Sequence, residues 1–392
     1  MTIYSNLGVR TLVNARGNAT LAGGTLMAPE VIDAMNEAAR SFVRIGDLQE
    51  AASRQIADLT GAEAGYVTAG AAAALTLGAA AMLTRLDPDR MDHLPETDDG
   101  PSEIVVQRTH RNPYDHLVRA SGARLIEFGD DTGATASQMT ARIGPATAGA
   151  FYHGQAEATG LPFHVFAATA HAAGMPVLVD ASMGLPPRVN LRRFIAEGAD
   201  LVAFSGGKTI GGPQASGFLA GRRDLLISVG LQQQDMDVLP ATWARRSLLE
   251  TGTLARPPQH GIGRSMKTGK EEIVGLLVAL RRYAEHDEDA VIRRWTTLTD
   301  RMAHALGEIP GLTAHAEPSQ DDGRPVPMTI VEVDAGEYGR TAVEIVKAFE
   351  AMDPIVMLGD HDAERGILRL DPENLDDTSA GLVIDAFRRL VR

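Results

Sequence analysis

The chain has 392 residues, 44% of them hydrophobic and 22% charged, with a formal net charge of −14 and no cysteine. That length exceeds what one core usually organises, so a large domain with a smaller companion is expected, in a composition ordinary for a soluble globular protein. The acidic balance, with no long run of Lys or Arg, argues against a nucleic-acid surface, and the lack of cysteine excludes disulfides and thiolate metal sites.

The first residues, MTIYSNLGVR, hold no apolar signal core, so the cytoplasm is the expected compartment. Residues 1–25, broken by Gly8, Gly17, Gly23 and Gly24, read as an extended arm. Pro29–Arg44 reads as a helix with Pro29 in its first turn and an apolar face of Val31, Ala34, Met35 and Ala38. A second helix over Asp47–Leu59 closes at Gly61. Ala64–Gly70 reads as a strand and sharp turn, followed by an alanine-rich helix from Ala71 to Leu83. Glu63, Tyr66 and the interspersed Gly and Thr mark Ala62–Leu83 as buried, not membrane-spanning. A strand leading into a Gly/Ala helix start suits a phosphate, because free amides and the positive helix end face the anion. The same alanines equally serve tight helix packing.

Arg85–Ser102, with Pro88, Pro95, Pro101 and the acidic run Glu96–Asp99, reads as a surface loop. The strand Glu103–Arg108 runs into Thr109-His110-Arg111, which places His110 just past a strand end. His110 and His116, without a further close acid, are poor metal-ligand spacing, and no metal site is expected. Gly122–Phe128 and Ala148–Tyr152 are further strands, the latter ending at His153-Gly154-Gln155, and Phe163–Ala173 is a crossover helix. The strand–helix–strand rhythm through residues 64–221 predicts an α/β fold, a parallel sheet with helices on both faces. Glu271–Arg282 and Ile292–Leu306 are amphipathic helices. Met328–Val333 and Gly366–Leu370 are strand-like, and with helices at 340–351 and 378–391 they predict a small C-terminal α/β domain. The expected division is an arm at 1–25, a large domain at 26–265 and a small domain at 266–392.

The chemistry concentrates between Pro176 and Gly221. Two apolar runs, Val177–Val179 and Leu201–Phe204, end on Asp180 and on Ser205-Gly206-Gly207-Lys208. Buried strands deliver residues rigidly, and ligands of open α/β sheets sit beyond the strands' carboxyl ends. An acid and a lysine so placed meet the needs of pyridoxal phosphate (PLP): the amine forms a Schiff base and the carboxylate keeps the pyridine nitrogen protonated. A P-loop is the competing reading of Gly207-Lys208-Thr209, but its leading glycine is missing, since position 202 is Val. Gly206, Gly207, Gly211 and Gly212 crowd the lysine, as where a chain turns sharply or approaches a ligand.

The segment FSGGKTIGGPQASGFLAGRRDLL resembles the cofactor-lysine segment of the SelA-like PLP enzymes, within the fold-type-I superfamily. The resemblance extends through TLVNARGNATLAGGTLMAPEVIDAM, DLTGAEAGYVTAGAAAAL, GRSMKTGKEEIVGLL and GILRLDPENL, nearly the whole chain. It implies PLP held by Lys208, Asp180 at the pyridine nitrogen, Ser205 beside the lysine, and a phosphate cup of Gly70, Ala71 and Ala72. It further implies His110 as the ring stacked on the pyridine, Gln155 or His153 at the cofactor's phenolic oxygen or the substrate, and Arg369 for the substrate carboxylate. Arg369 paired to a structural acid is the alternative, and Arg264 or Lys267 are candidates for a phosphate across a subunit contact. The implied activity acts on an amino acid or amino sugar acid through an external aldimine and α-carbanion, most readily β-elimination. Racemisation, aldol cleavage and transamination share that intermediate. The family's tRNA-binding domain precedes the segment matched here; its absence and the acidic charge argue against a seryl-tRNA substrate. A homodimer or larger homo-oligomer is expected, and a non-catalytic binding protein is the reading from outside enzymology.

Overall fold

The computed structural model describes residues 2–98, 100–320 and 323–391, so Asp99 of the acidic run lies outside them. Two compact units emerge, Met27–Glu285 and Met1–Leu26 with His286–Arg392. This division differs from the expected one. The first strand, β1 (Leu12–Ala15), is no free arm: it pairs in parallel with Ile355–Leu358, and Val13 and Ala15 enter the core of the smaller unit. The helix Lys270–Glu285, expected in the small domain, buries Ile273, Leu276, Ala279 and Leu280 in the large unit's core with Val31, Ala52 and Ile56. Burial of an amphipathic stripe decides which unit a helix belongs to.

The large unit is a seven-stranded sheet. Its strands are β2 (Ala64–Thr68), β3 (Glu103–Gln107), β4 (Arg124–Phe128), β5 (Thr147–His153), β6 (Val177–Asp180), β7 (Leu201–Ser205) and β8 (Gly217–Gly221), in the order β2-β8-β7-β6-β5-β3-β4. β3 to β7 run parallel, and β8 is antiparallel to both neighbours. The parallel strands read as continuous apolar runs because both faces are covered. One face carries the core of Phe163, Phe166, Phe194 and Leu276; the other packs the helix Gly70–Thr84, twelve of whose residues are buried. The chain steps from β3 to β4 in one direction and through β5, β6 and β7 in the other. That reversal opens a crevice at the carboxyl ends of β3 and β5.

The smaller unit holds an antiparallel sheet of β9 (Leu312–Glu317), β10 (Met328–Val333) and β12 (Ile367–Leu370), in the order β12-β10-β9. β11 (Ile355–Leu358) is the partner of β1. Helices Glu288–Gly307, Ala342–Glu350 and Asp377–Leu390 close its core on Leu298, Phe349 and Phe387. Each helix opens on a side-chain cap, Asp287, Thr341 or Asp376, that accepts from a first-turn amide. Where a loop was expected over Arg85–Ser102, a short helix Pro88–His93 forms, capped by Asp87.

Candidate active site

Parallel pairing sets His153 beside Asp180 and Asp180 beside Ala203, so the carboxyl ends of β5, β6 and β7 align. Asp180 is 4% exposed. Its Oδ1 accepts the Ser182 amide at 2.9 Å, and its Oδ2 faces His153 Nε2 at 3.9 Å. Lys208 follows β7 by three residues and is half-buried. Its turn is locked by backbone bonds: Gly206 N–H donates to Ser216 O, Gly212 N–H to Gly206 O and Gly211 N–H to Lys208 O, each at 2.8 Å. The glycines are sterically required. A Cβ at Gly206 would lie 2.3 Å from Ser216 Oγ, and one at Gly207 2.5 Å from Gln214 Cα. Thr209 Oγ1 anchors the far side on Leu185 O at 3.0 Å.

The helix that follows β2 begins at Gly70 with φ +86° and has no side-chain cap. Its first amides therefore lack intrahelical partners. β8 passes directly beneath: a Cβ on Gly217 would lie 2.6 Å from Ala71 N and from Gly70 C. Gly70 and Ala71 are half-buried and Ala72 is exposed, so small residues line both sides of this helix end.

His110 is placed differently from the expectation. A ring that stacks on a bound pyridine must offer a face to the crevice, and His110 is 1% exposed. It stands edge-on to Tyr152, 4.6 Å between centroids. Its Nε2 lies 3.2 Å from Gln107 Nε2 and its Nδ1 3.2 Å from the His153 amide. Gln107 is itself fixed, its Oε1 accepting the Leu161 amide at 2.5 Å. Burial, and next the nearby His153, lower the His110 pKa to about 4, so its ring is neutral. His110 thus forms the wall behind His153. His153 keeps 15% of its side chain exposed, and its Nδ1 is buried with no described partner. The signal for it was in the sequence, a histidine closing the strand next to the one that ends in Asp180. Gln155 lies half-buried in the turn Gly154–Thr159 after the same strand, and Ser205 ends β7 half-buried beside Gly217.

Arg369 is engaged within its own unit. On β12, its Nη2 and Nε lie 3.2 and 3.3 Å from Asp362 Oδ2, and its Nη1 lies 3.9 Å from Glu317 Oε2. That is the structural pairing held as the alternative, and a substrate carboxylate there would compete with Asp362. Arg264 pairs with the exposed Asp235 at 3.0 Å, and Lys267 is exposed.

The family model described as L-seryl-tRNA selenium transferase matches residues 161–237, which contain Asp180, Ser205 and Lys208. The chain is 32% identical to a 5'-C-glycyluridine monooxygenase-decarboxylase of Streptomyces sp, over 99% of this chain and 92% of that protein. It is 30% identical to the D-glucosaminate-6-phosphate ammonia lyase of Salmonella typhimurium, over 99% and 97%. A solved D-glucosaminate-6-phosphate ammonia-lyase superposes with a TM-score of 0.81 at 28% identity, covering 100% of this chain and 98% of that one. With the lysine and aspartate at neighbouring strand ends of the same fold, the chain belongs to the SelA-like family of PLP-dependent, fold-type-I enzymes.

Proposed function

We propose that this enzyme is a PLP-dependent lyase of the β-elimination type, acting on an amino acid or amino sugar acid, with Lys208 as its cofactor lysine. The observation that carries the reading is the alignment of Asp180 and the glycine-locked Lys208 turn at the ends of neighbouring parallel strands. The residues fit the cofactor. The uncapped helix at Gly70, with Gly217 beneath it, is a cradle that one added methyl would fill. Asp180 keeps Oδ2 clear of the Ser182 bond.

In this reading the amides of Gly70, Ala71 and Ala72 hold the phosphate, and Asp180 holds a proton at the pyridine nitrogen. His153, beside Asp180, and Gln155 orient the ring's polar edge; His110 backs His153 as a neutral positioning residue. PLP, when bound, supplies the electron sink that lets a bond at the substrate α-carbon break. Lys208 Nζ takes the α-proton and returns a proton at the close of turnover. The relative named an ammonia lyase supports loss of a β-substituent. The relative named a monooxygenase-decarboxylase favours a second reading, loss of the α-carboxylate with consumption of oxygen.

Among the described residues, no helix is long and apolar enough to cross a membrane. A small-molecule substrate and a cytoplasmic homodimer or larger homo-oligomer belong to the same proposal. The fully exposed Phe42, with exposed Val43 and Leu239, supports a subunit contact.

The test is borohydride reduction of the PLP-loaded protein with peptide mapping, followed by a panel of D- and L-amino acids and amino sugar acids. Label on Lys208, with ammonia and keto acid released, is the expected result. Carbon dioxide release with oxygen uptake would install the second reading. Lys208→Ala is expected to lower turnover by about 10² or more with an unchanged circular dichroism spectrum; full activity would remove the catalytic reading.

A further inference from the structure

The large unit carries a second polar cavity, of about 710 Å³, lined by the helix Ile45–Thr60, the start of β2, the helix Arg223–Gln233 and residues 244–248. It stands apart from the crevice. Thr68, the last residue of β2, pairs with Gly217 level with Ser205, whereas Ala64 pairs with Gly221 level with Leu201. The cavity opens around Glu63–Tyr66, toward that opposite end of the strands and on the sheet's edge. Its volume is in the range of small-molecule sites.

Three side chains in its lining make no hydrogen bond or ion pair among the described residues. Tyr66 is 8% exposed, yet its hydroxyl makes no hydrogen bond to any described residue. Arg245 lies across Gly230, its Nη2 2.7 Å from where a Cβ would sit, and makes no ion pair among the described residues. Arg54, on the facing helix, likewise has none. The neighbouring Arg223 is spoken for, its Nη2 donating to Glu63 O at 2.6 Å while its amide donates to Glu63 Oε2 at 3.1 Å. The Tyr66 hydroxyl is not among the side-chain atoms sealed from solvent, so it opens onto the cavity and is free to donate to a ligand there. Tyr66 stays protonated, because burial raises its pKa while Arg245 pulls it down less. It is therefore a donor beside two guanidiniums.

We propose that this cavity is a second ligand site, taking a small phosphate monoester whose dianion is held by Arg245, Arg54 and the Tyr66 hydroxyl. Two unpaired guanidiniums match a dianion, and a monocarboxylate would leave one of them unanswered. The remaining volume accepts the organic body, whose hydroxyl or ammonium groups meet the exposed Glu50 and Asp58. The site is independent of the cofactor reading.

The experiment is calorimetric titration of inorganic phosphate into the PLP-loaded enzyme, so that the cofactor cup is already filled. Wild type, Arg245→Gln and Tyr66→Phe are compared, with sedimentation velocity on each. The expected result is binding to wild type, weakened about tenfold or more by Arg245→Gln and several-fold by Tyr66→Phe, with unchanged sedimentation. If Arg245→Gln does not fold, Tyr66→Phe, which keeps the ring's packing, decides alone. No binding to wild type, equal affinity in the variants, or a variant that alters the assembly would overturn the proposal. The last outcome would make these arginines subunit contacts.

Discussion

His110, expected to face a bound pyridine, is instead buried behind His153, which keeps part of its side chain exposed. Two residues fix this placement: Gln107, held by the Leu161 amide, takes one side of the His110 ring, and Tyr152 packs against it edge-on. The ring is neutral at its lowered pKa of about 4, against an unperturbed 6.5. The sign follows directly. Between pH 6.5 and 4 the unfolded chain binds a proton at this histidine and the folded one does not, so this contribution to stability is lost as pH falls through that window. The difference approaches about 3 kcal/mol. Urea midpoints of wild type minus His110→Asn, measured from pH 7 to 4.5, are expected to fall with pH; a constant difference would place His110 in solvent contact.

At the scale of elements, the turn after β7 and the helix start after β2 are shaped by Gly206, Gly207 and Gly217, which leave no room for a Cβ. Gly217 is the tightest test. Its added Cβ would lie 2.6 Å from Ala71 N and Gly70 C and 2.7 Å from Phe204 O, none of which can swing aside. Gly217→Ala is expected to cost about 1–3 kcal/mol through overpacking and to weaken PLP retention, measured by dialysis and absorbance, because the cradle itself is displaced. Gly46→Ala is the control. It sits in the helix Ile45–Thr60 with nothing within 4 Å, and should leave both properties unchanged or raise stability slightly. The helix start at Gly70 was legible from its small residues, which by themselves left tight packing and a phosphate cup both open. The strand of glycine beneath it was not, because β8 reaches β2 only through antiparallel pairing across the sheet.

At the scale of the whole molecule, each unit carries its own core and its own tryptophan, Trp243 in the larger and Trp295 in the smaller. Leu276, wholly buried on the helix Lys270–Glu285, belongs to the larger core. Leu276→Ala is expected to cost about 2–5 kcal/mol, and the fluorescence transition reported by Trp243 in a Trp295→Phe background should move more than that reported by Trp295 in a Trp243→Phe background. The reverse order would return this helix to the smaller unit.

The apolar runs ending on Asp180 and Ser205, the glycine-crowded lysine and the strand–helix rhythm determined the fold class and named the cofactor chemistry. They are local patterns, written in period and in the backbone freedom of glycine. Only the tertiary structure decided that His110 is buried while His153 stays partly exposed, that Arg369 is held by Asp362, that the first strand joins β11, and that Lys270–Glu285 packs with the large sheet. Most of those outcomes depend on neighbours dozens to hundreds of residues away; Asp362 lies only seven residues from Arg369 and meets it through the turn that precedes β12. A side chain's burial and partners are set by what packs against it, not by the residues beside it in sequence.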